Sequence, residues 1–223
     1  MTHQATDDIA LVRTIPNMTI LECGDATEVE SVIALAHEIP GPVYVRILRG
    51  EVPRLFPETE PMQLGKARVL STGKDITIIS SGICTEEAMR VTSLLRQLGV
   101  GIQHLHISTH KPFNDPVVLD ALAKNQKGVI TMENHTIVGG LGTSVAEMIA
   151  ENGLGNKLVR LGLQDVYAHG ASKPYLMKKY GFDAMGLVGA VEHLINEHFE
   201  ISEADLKSVH ITPVHSESKV EAL

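Results

Sequence analysis

A mostly parallel α/β fold is predicted for this 223-residue chain by three observations. Short apolar runs alternate with segments of helical periodicity, 43% of the residues are hydrophobic, and one apolar run ends in a polar, glycine-bearing turn. That run, Gly128-Val129-Ile130-Thr131-Met132, suits a buried parallel strand. It passes through Glu133-Asn134-His135 and Gly139-Gly140-Leu141-Gly142 into a helix from Thr143 to Glu151. Polar groups therefore gather at a strand's carboxyl end, where open α/β sheets place their ligands.

Taken in order, Thr6 can cap a helix through Arg13, with Asp7 and Asp8 at its positive end. Pro16-Asn17 ends it, and Met18 to Cys23 reads as a strand. Asp25-Ala26-Thr27-Glu28 is a capping signature opening a helix whose Val29, Val32, Ile33 and Ala36 share a face. That helix stops before Pro40-Gly41-Pro42, and Val43 to Leu48 is the next strand. Residues 51–74 carry Pro53, Pro57 and Pro61 with little apolar periodicity and read as an interdomain linker, with a boundary near residue 65. A second α/β domain is expected over 75–203. Its strands are Asp75 to Ser80, Gly101 to Ile107, Val129 to Met132 and Leu158 to Gly162. Helices Thr85 to Leu98, Asp115 to Asn125 and Thr143 to Glu151 connect them, and Ser172 to Tyr180 and Ala184 to Glu197 close the domain. Residues 204–223 read as a polar tail.

The net charge of -8 comes from 27 acidic and 19 basic residues without a long basic block, which argues against nucleic-acid and anionic-membrane partners. Cys23 and Cys84 lack zinc-site spacing and read as free thiols of a reduced, cytoplasmic protein. Neither a signal peptide nor a membrane-spanning run is apparent. Met1-Thr2-His3-Gln4 leaves no room for a preceding strand, so residues 1–50 read as the latter part of a domain.

Several motifs then carry a family resemblance. Thr2-His3-Gln4, the run Asp8 to Met18 containing Arg13-Thr14-Ile15-Pro16-Asn17-Met18, and Asp25-Ala26-Thr27-Glu28-Val29 resemble the latter half of a transketolase pyrimidine-binding domain. Residues 75–200, with Glu133-Asn134-His135, Gly139-Gly140-Leu141-Gly142 and Tyr180-Gly181-Phe182, resemble the transketolase C-terminal domain. The resemblance implies the second subunit of a split transketolase, shortened at its N-terminus. Such an enzyme transfers a two-carbon ketol unit between phosphorylated sugars with thiamine diphosphate and Mg2+. It further implies that His3 is a catalytic residue able to polarise a carbonyl or handle a hydroxyl proton, and that Arg49 grips substrate phosphate. Leu48 stands where the family has a serine before that arginine.

The family's cofactor-activating glutamate, stacking aromatic and magnesium-binding motif have no counterpart here, so no cofactor-binding or metal-ligating residue is expected from this chain. A diphosphate-binding N-terminal subunit is the implied partner, with homo-oligomerisation through the C-terminal domain. The alternatives are a component like 1-deoxyxylulose-phosphate synthase or a 2-oxo acid dehydrogenase β subunit, and a non-catalytic assembly module.

Other polar groups have simpler readings. Glu133 and His135 suit a structural or interface role at a strand-to-helix turn, and His104, His106 and His110 a polar interface more than a metal site. Close packing explains the glycines at 139–142, and a Ser172 cap explains His169-Gly170-Ala171-Ser172. A half-domain also predicts exposed apolar surface around Ile20 and Val45.

Overall fold

The computed structural model describes residues 5–48, 50, 52–209 and 211. Among these residues the chain is α/β, built on two sheets. In the first sheet β1 (Thr19–Glu22) lies between β2 (Val43–Arg46) and β6 (Thr109–Lys111). β1 and β2 are parallel and joined by α2 (Ala26–Glu38), a crossover. α1 (Asp8–Arg13) precedes β1 and packs against it.

The second sheet has the order β3-β5-β4-β7-β8. Its parallel members are β4 (Ile76–Ser81), β5 (Ile102–Ile107), β7 (Gly128–Thr136) and β8 (Leu158–Leu163), while β3 (Arg68–Ser71) runs antiparallel to β5. Strand alternation divides the core between the two faces. Ile76, Ile78, Ile130 and Met132 pack with residues of α3 (Cys84–Gln97) and α7 (Ala184–Ile195). Ile79, Leu105 and Val129 pack with residues of α4 (Pro116–Lys124) and α5 (Leu141–Glu151). A sheet buried on both faces explains why its strands read as apolar runs.

Four expectations are corrected. The 51–74 segment read as a linker is packed structure: Leu55, Phe56 and Met62 are buried, and Arg68–Ser71 forms β3. Its backbone is satisfied by side chains of α2 and its cap, since the amides of Leu55 and Phe56 donate to Asp25 and that of Met62 to Ser31. Prolines here shape a path over α2 instead of freeing one. Within the expected polar tail, α8 (Glu203–Ser208) is held by a reciprocal Ser202–Asp205 capping box and buries Leu206. Ile20 is wholly buried, because it pairs with Lys111 of β6 while α1 packs on β1. Finally, Ser172 precedes α6 (Lys173–Tyr180) without making a side-chain cap bond.

Candidate functional site

The carboxyl ends of the two sheets face one cleft of about 420 Å³. Glu22 closes β1, Arg46 closes β2, Gly82 follows β4, and Asn134 lies near the carboxyl end of β7; all four line the cleft. In the second sheet β4 is flanked by β5 on one side and β7 on the other, so the chain order reverses there. A crevice at such a switch point is where open α/β sheets bind ligands. Ala5 and Leu48 also line it. His3 and Arg49, the catalytic and substrate-binding expectations, lie outside the described residues.

Arg46 organises the cleft floor. Register places it beside Glu22, with which it pairs, and its guanidinium also donates to Asp8 (3.0 Å), to the Asn134 side chain (2.9 Å) and to the Ala5 carbonyl (2.6 Å). Tyr44 donates to Asp8 at 2.8 Å, and His110 faces Glu22 at 2.8 Å. Burial opposes ionisation of Glu22, yet Arg46 and His110 hold its carboxyl well below the usual carboxylate range. Gly82 has a φ of +51°, and a Cβ there would stand 2.6 Å from Glu22 Oε1, so glycine serves both backbone and space. This cluster was not found from sequence. Its signal was present: opposite charges end two neighbouring parallel strands at matching positions.

Behind it a second buried network joins the sheets. Glu28 of α2 accepts from the Gly24 amide (2.9 Å), Ser108 (2.6 Å) and Arg68 (3.1 Å), and faces His106 Nε2 at 3.0 Å. His106 Nδ1 meets Thr85 at 2.7 Å, Thr85 meets Ser80 at 3.0 Å, and Ser80 meets His104 at 2.8 Å. Burial works against the Glu28 carboxylate, but His106, Ser108 and the Gly24 amide outweigh it and hold its pKa down to about 2. Burial pulls His104 down as well, to about 3. These histidines are thus spent on hydroxyls and carboxylates. Among the described residues, no group of three or more His, Cys, Asp or Glu is placed to hold a metal ion.

Glu133 and His135 hold the turn into α5. Both Glu133 oxygens accept helix-start amides, from Leu141 at 2.7 Å and Gly142 at 2.8 Å. Burial nevertheless pushes its carboxyl up to about 8, against those hydrogen bonds. His135 Nδ1 lies 2.7 Å from the Thr136 carbonyl and donates to it, while Nε2 accepts from the Ala10 amide at 3.4 Å. Arg13 donates to the Gly139 carbonyl at 3.0 Å, so this turn clasps α1. The cleft's thiol, Cys23, is buried and pushed up to about 12 by burial and by Glu28, Glu22 and Asp25, which leaves it unreactive near neutrality.

A pH dependence follows from these shifts. Glu22 and Glu28 are depressed in the fold, so they stabilise it above their usual 4.5 and cease to do so as pH falls through the folded values. His104 stays neutral in the fold, so protonation of the unfolded chain erodes stability from about pH 6.5 down to about 3. Glu133 acts oppositely: its raised pKa stabilises below 4.5, and that contribution is lost as pH rises through about 8. Between pH 4.5 and 6.5 His104 and Glu133 oppose each other, so urea-unfolding midpoints should fall mainly as pH drops from 4.5 to 3, and Glu133→Gln should remove the loss of stability as pH rises from 4.5 towards 8. A flat midpoint across the acid range contradicts this account.

The family model described as transketolase, C-terminal domain, matches residues 65–187. The chain belongs to the transketolase C-terminal domain family. It is 37% identical, over 81% of its length, to a putative transketolase C-terminal section of Methanocaldococcus jannaschii, of which it spans 57%. It is 35% identical, over 86% of its length, to a 6-deoxy-6-sulfo-D-fructose transketolase subunit of Clostridium sp., of which it spans 59%. A solved structure described as a split gene transketolase, inactive beta4 tetramer, superposes with a TM-score of 0.79 at 33% identity. That match covers 87% of this chain and 62% of the other. The chain thus spans somewhat over half the length of the relatives it matches. This is a transketolase-type C-terminal section.

Transketolases depend on thiamine diphosphate. Arg46, a buried cation of the cleft, is fully committed to Glu22, Asp8, Asn134 and Ala5. Lys173 is a further basic residue of the cleft lining, and among the described residues no group of three or more His, Cys, Asp or Glu is placed to cage a metal ion. No helix among them is long and apolar enough to cross a membrane.

Proposed function

We propose that this chain is the C-terminal section of a two-chain, cytoplasmic transketolase-type enzyme that transfers a two-carbon ketol unit between phosphorylated sugars. The likeness to proteins described as a transketolase C-terminal section and a split gene transketolase, over 81% and 87% of the chain, carries the reading. A partner chain would supply the site for diphosphate and Mg2+, and thiamine diphosphate, once bound, supplies the nucleophilic carbon and electron sink. The cleft at the sheets' carboxyl ends is the place on this chain that such a reading uses.

Two residues of this chain are assigned roles. His3 would orient a substrate hydroxyl or carbonyl by hydrogen bonding and move its proton. Arg49 would bind the substrate phosphate through paired, charge-assisted hydrogen bonds. Ala5 and Leu48 line the cleft, which supports placing both roles there. Self-association through the C-terminal domain completes the proposal, supported by the tetramer named for the solved relative.

The test is ketol transfer and thiamine diphosphate binding by this chain, by a diphosphate-binding subunit, and by their mixture. Activity is expected only in the mixture, with kcat lowered about 100-fold or more in His3→Ala and KM for the phosphorylated sugar raised in Arg49→Ala. Pyruvate-dependent condensation without ketol transfer would replace this reading with a 1-deoxyxylulose-phosphate synthase-like one. A folded mixture with neither activity would leave a non-catalytic module.

A further inference from the structure

Arg46 joins more of the chain than a salt bridge needs. Its guanidinium reaches four segments: Glu22 of β1, Asp8 of α1, the Ala5 carbonyl at 2.6 Å, and Asn134 of β7, whose side-chain oxygen and carbonyl it meets at 2.9 and 3.2 Å. One residue on from Ala5, the Thr6 carbonyl accepts from the Thr136 amide of β7 at 2.7 Å. Two consecutive carbonyls of the N-terminal segment are thus tied to the end of β7, one directly and one through Arg46.

Stability alone does not account for this arrangement. Exchanging a buried ion pair for well-packed hydrocarbon is often neutral or stabilising. Here one guanidinium serves two carboxylates, and Asp8 Oδ1 has no hydrogen-bond partner among the described residues. What hydrocarbon cannot supply is direction. A planar fork of N–H donors fixes several acceptors relative to one another at once. Two of the acceptors here are backbone carbonyls far apart in sequence, that of Ala5 in the segment leading to His3 and that of Asn134 within the C-terminal domain.

His3 stands two residues before Ala5, and two residues of chain reach about 7 Å at most. An anchor at Ala5 therefore bounds where that imidazole can stand, and a misplacement of about 1 Å can slow a reaction about 100-fold. We infer that Arg46 and Asn134 are positioning residues for ketol transfer: Arg46, steadied by Asn134 of the C-terminal domain, holds the Ala5-Thr6 segment against the cleft floor and so sets the place from which His3 acts. Both act through His3 and not on the sugar. The inference rests on the function proposed above and adds to it a part for the C-terminal domain in the reaction besides assembly.

Two variants and two readouts test it. Arg46→Lys keeps a charge beside Glu22 and Asp8 but loses the fork, and Asn134→Ala removes a side-chain acceptor while the carbonyl remains. In the mixture with a diphosphate-binding subunit, Arg46→Lys should lower kcat about 10- to 100-fold and leave KM for the phosphorylated sugar within about twofold. Asn134→Ala should lower kcat less, and adding it to Arg46→Lys should lower it no further, because both break one link. Asn134→Ala leaves Arg46 with both carboxylates and carries the test if Arg46→Lys does not fold. Leu206→Ala, a cavity at a buried residue of α8 outside the cleft lining, is the control that lowers Tm and leaves kcat as it was. In the chain alone, NMR relaxation should give the Ala5 and Thr6 amides order parameters of about 0.8 that fall below about 0.6 in Arg46→Lys. With an active wild-type mixture, an unchanged kcat, a rise in KM in place of the loss in kcat, or additive losses in the double variant overturns the positioning role. A wild-type mixture without ketol transfer would overturn the proposed function instead. The order parameters then decide the anchor by themselves: values unmoved by Arg46→Lys overturn it, and values that fall uphold it.

Discussion

Replacing Glu28 with alanine should cost about 3–5 kcal/mol, the usual penalty for removing one partner of a buried charged cluster. Four groups depend on this carboxylate: Arg68, His106, Ser108 and the Gly24 amide. Arg68 is bound besides to Glu60 and stacks over Phe56 at 4.5 Å, and Phe56 in turn meets the His106 ring at 5.0 Å. Losing Glu28 therefore loosens α2, the segment after it and β5 together. For a domain stabilised by roughly 5–15 kcal/mol this is a large fraction. Equilibrium urea unfolding measures it. Glu28→Gln keeps one oxygen, for either Ser108 or the Gly24 amide, which donate to different carboxylate oxygens, and drops the charge facing Arg68, so an intermediate loss is expected. A loss below about 1 kcal/mol in the alanine variant, the range of a solvated ion pair, would contradict the role assigned to Glu28.

Gly140→Ala should be nearly as damaging, at about 2–5 kcal/mol, by combining overpacking with the loss of partners by a buried carboxyl. A Cβ at this position would sit 2.0 Å from Glu133 Oε2 and 2.7 Å from His135 Nδ1. To make room, Glu133 must leave the amides of Leu141 and Gly142, which no other described side chain caps. The clash is specific, so a double-mutant cycle reads it directly. In a Glu133→Ala background the Gly140→Ala change should cost much less. Equal costs in both backgrounds would mean that the damage arises elsewhere.

These two residues show what the sequence exposes and what it hides. Asp25-Ala26-Thr27-Glu28 marks a helix start, and Asp25 indeed accepts from the Glu28 amide at 2.8 Å. The same motif says nothing of His106 or Ser108, which are far away in sequence and arrive only through tertiary packing. Likewise Glu133-Asn134-His135 before three glycines announced a polar strand end, and close packing does account for Gly140. The extension of β7 to Thr136 was not legible, because the polar residues there are held by α1 and α5 instead of by a periodic pattern.

Long apolar runs such as Ile76 to Ser81 fixed the second sheet in advance, since burial on both faces leaves a continuous signature. β3 and β6 left none. They are four and three residues long and owe their conformation to the partners they pair with. Arg46 and Glu22 were unread for a similar reason: each is an ordinary charged residue until register sets them side by side.

The pairing of β1 with β6 also orders events in time. Ile20 and Leu21 meet Lys111 and Thr109 across the whole of α2, β2, β3, β4, α3 and β5, so closing that sheet is a long-range step with a large loop to close. A nascent chain leaving the ribosome can form α2 early, but its first sheet stays unfinished until β6 has emerged. During that interval Ile20 lacks the neighbour that buries it, and the N-terminal section depends on a strand from the middle of the chain for its own completion.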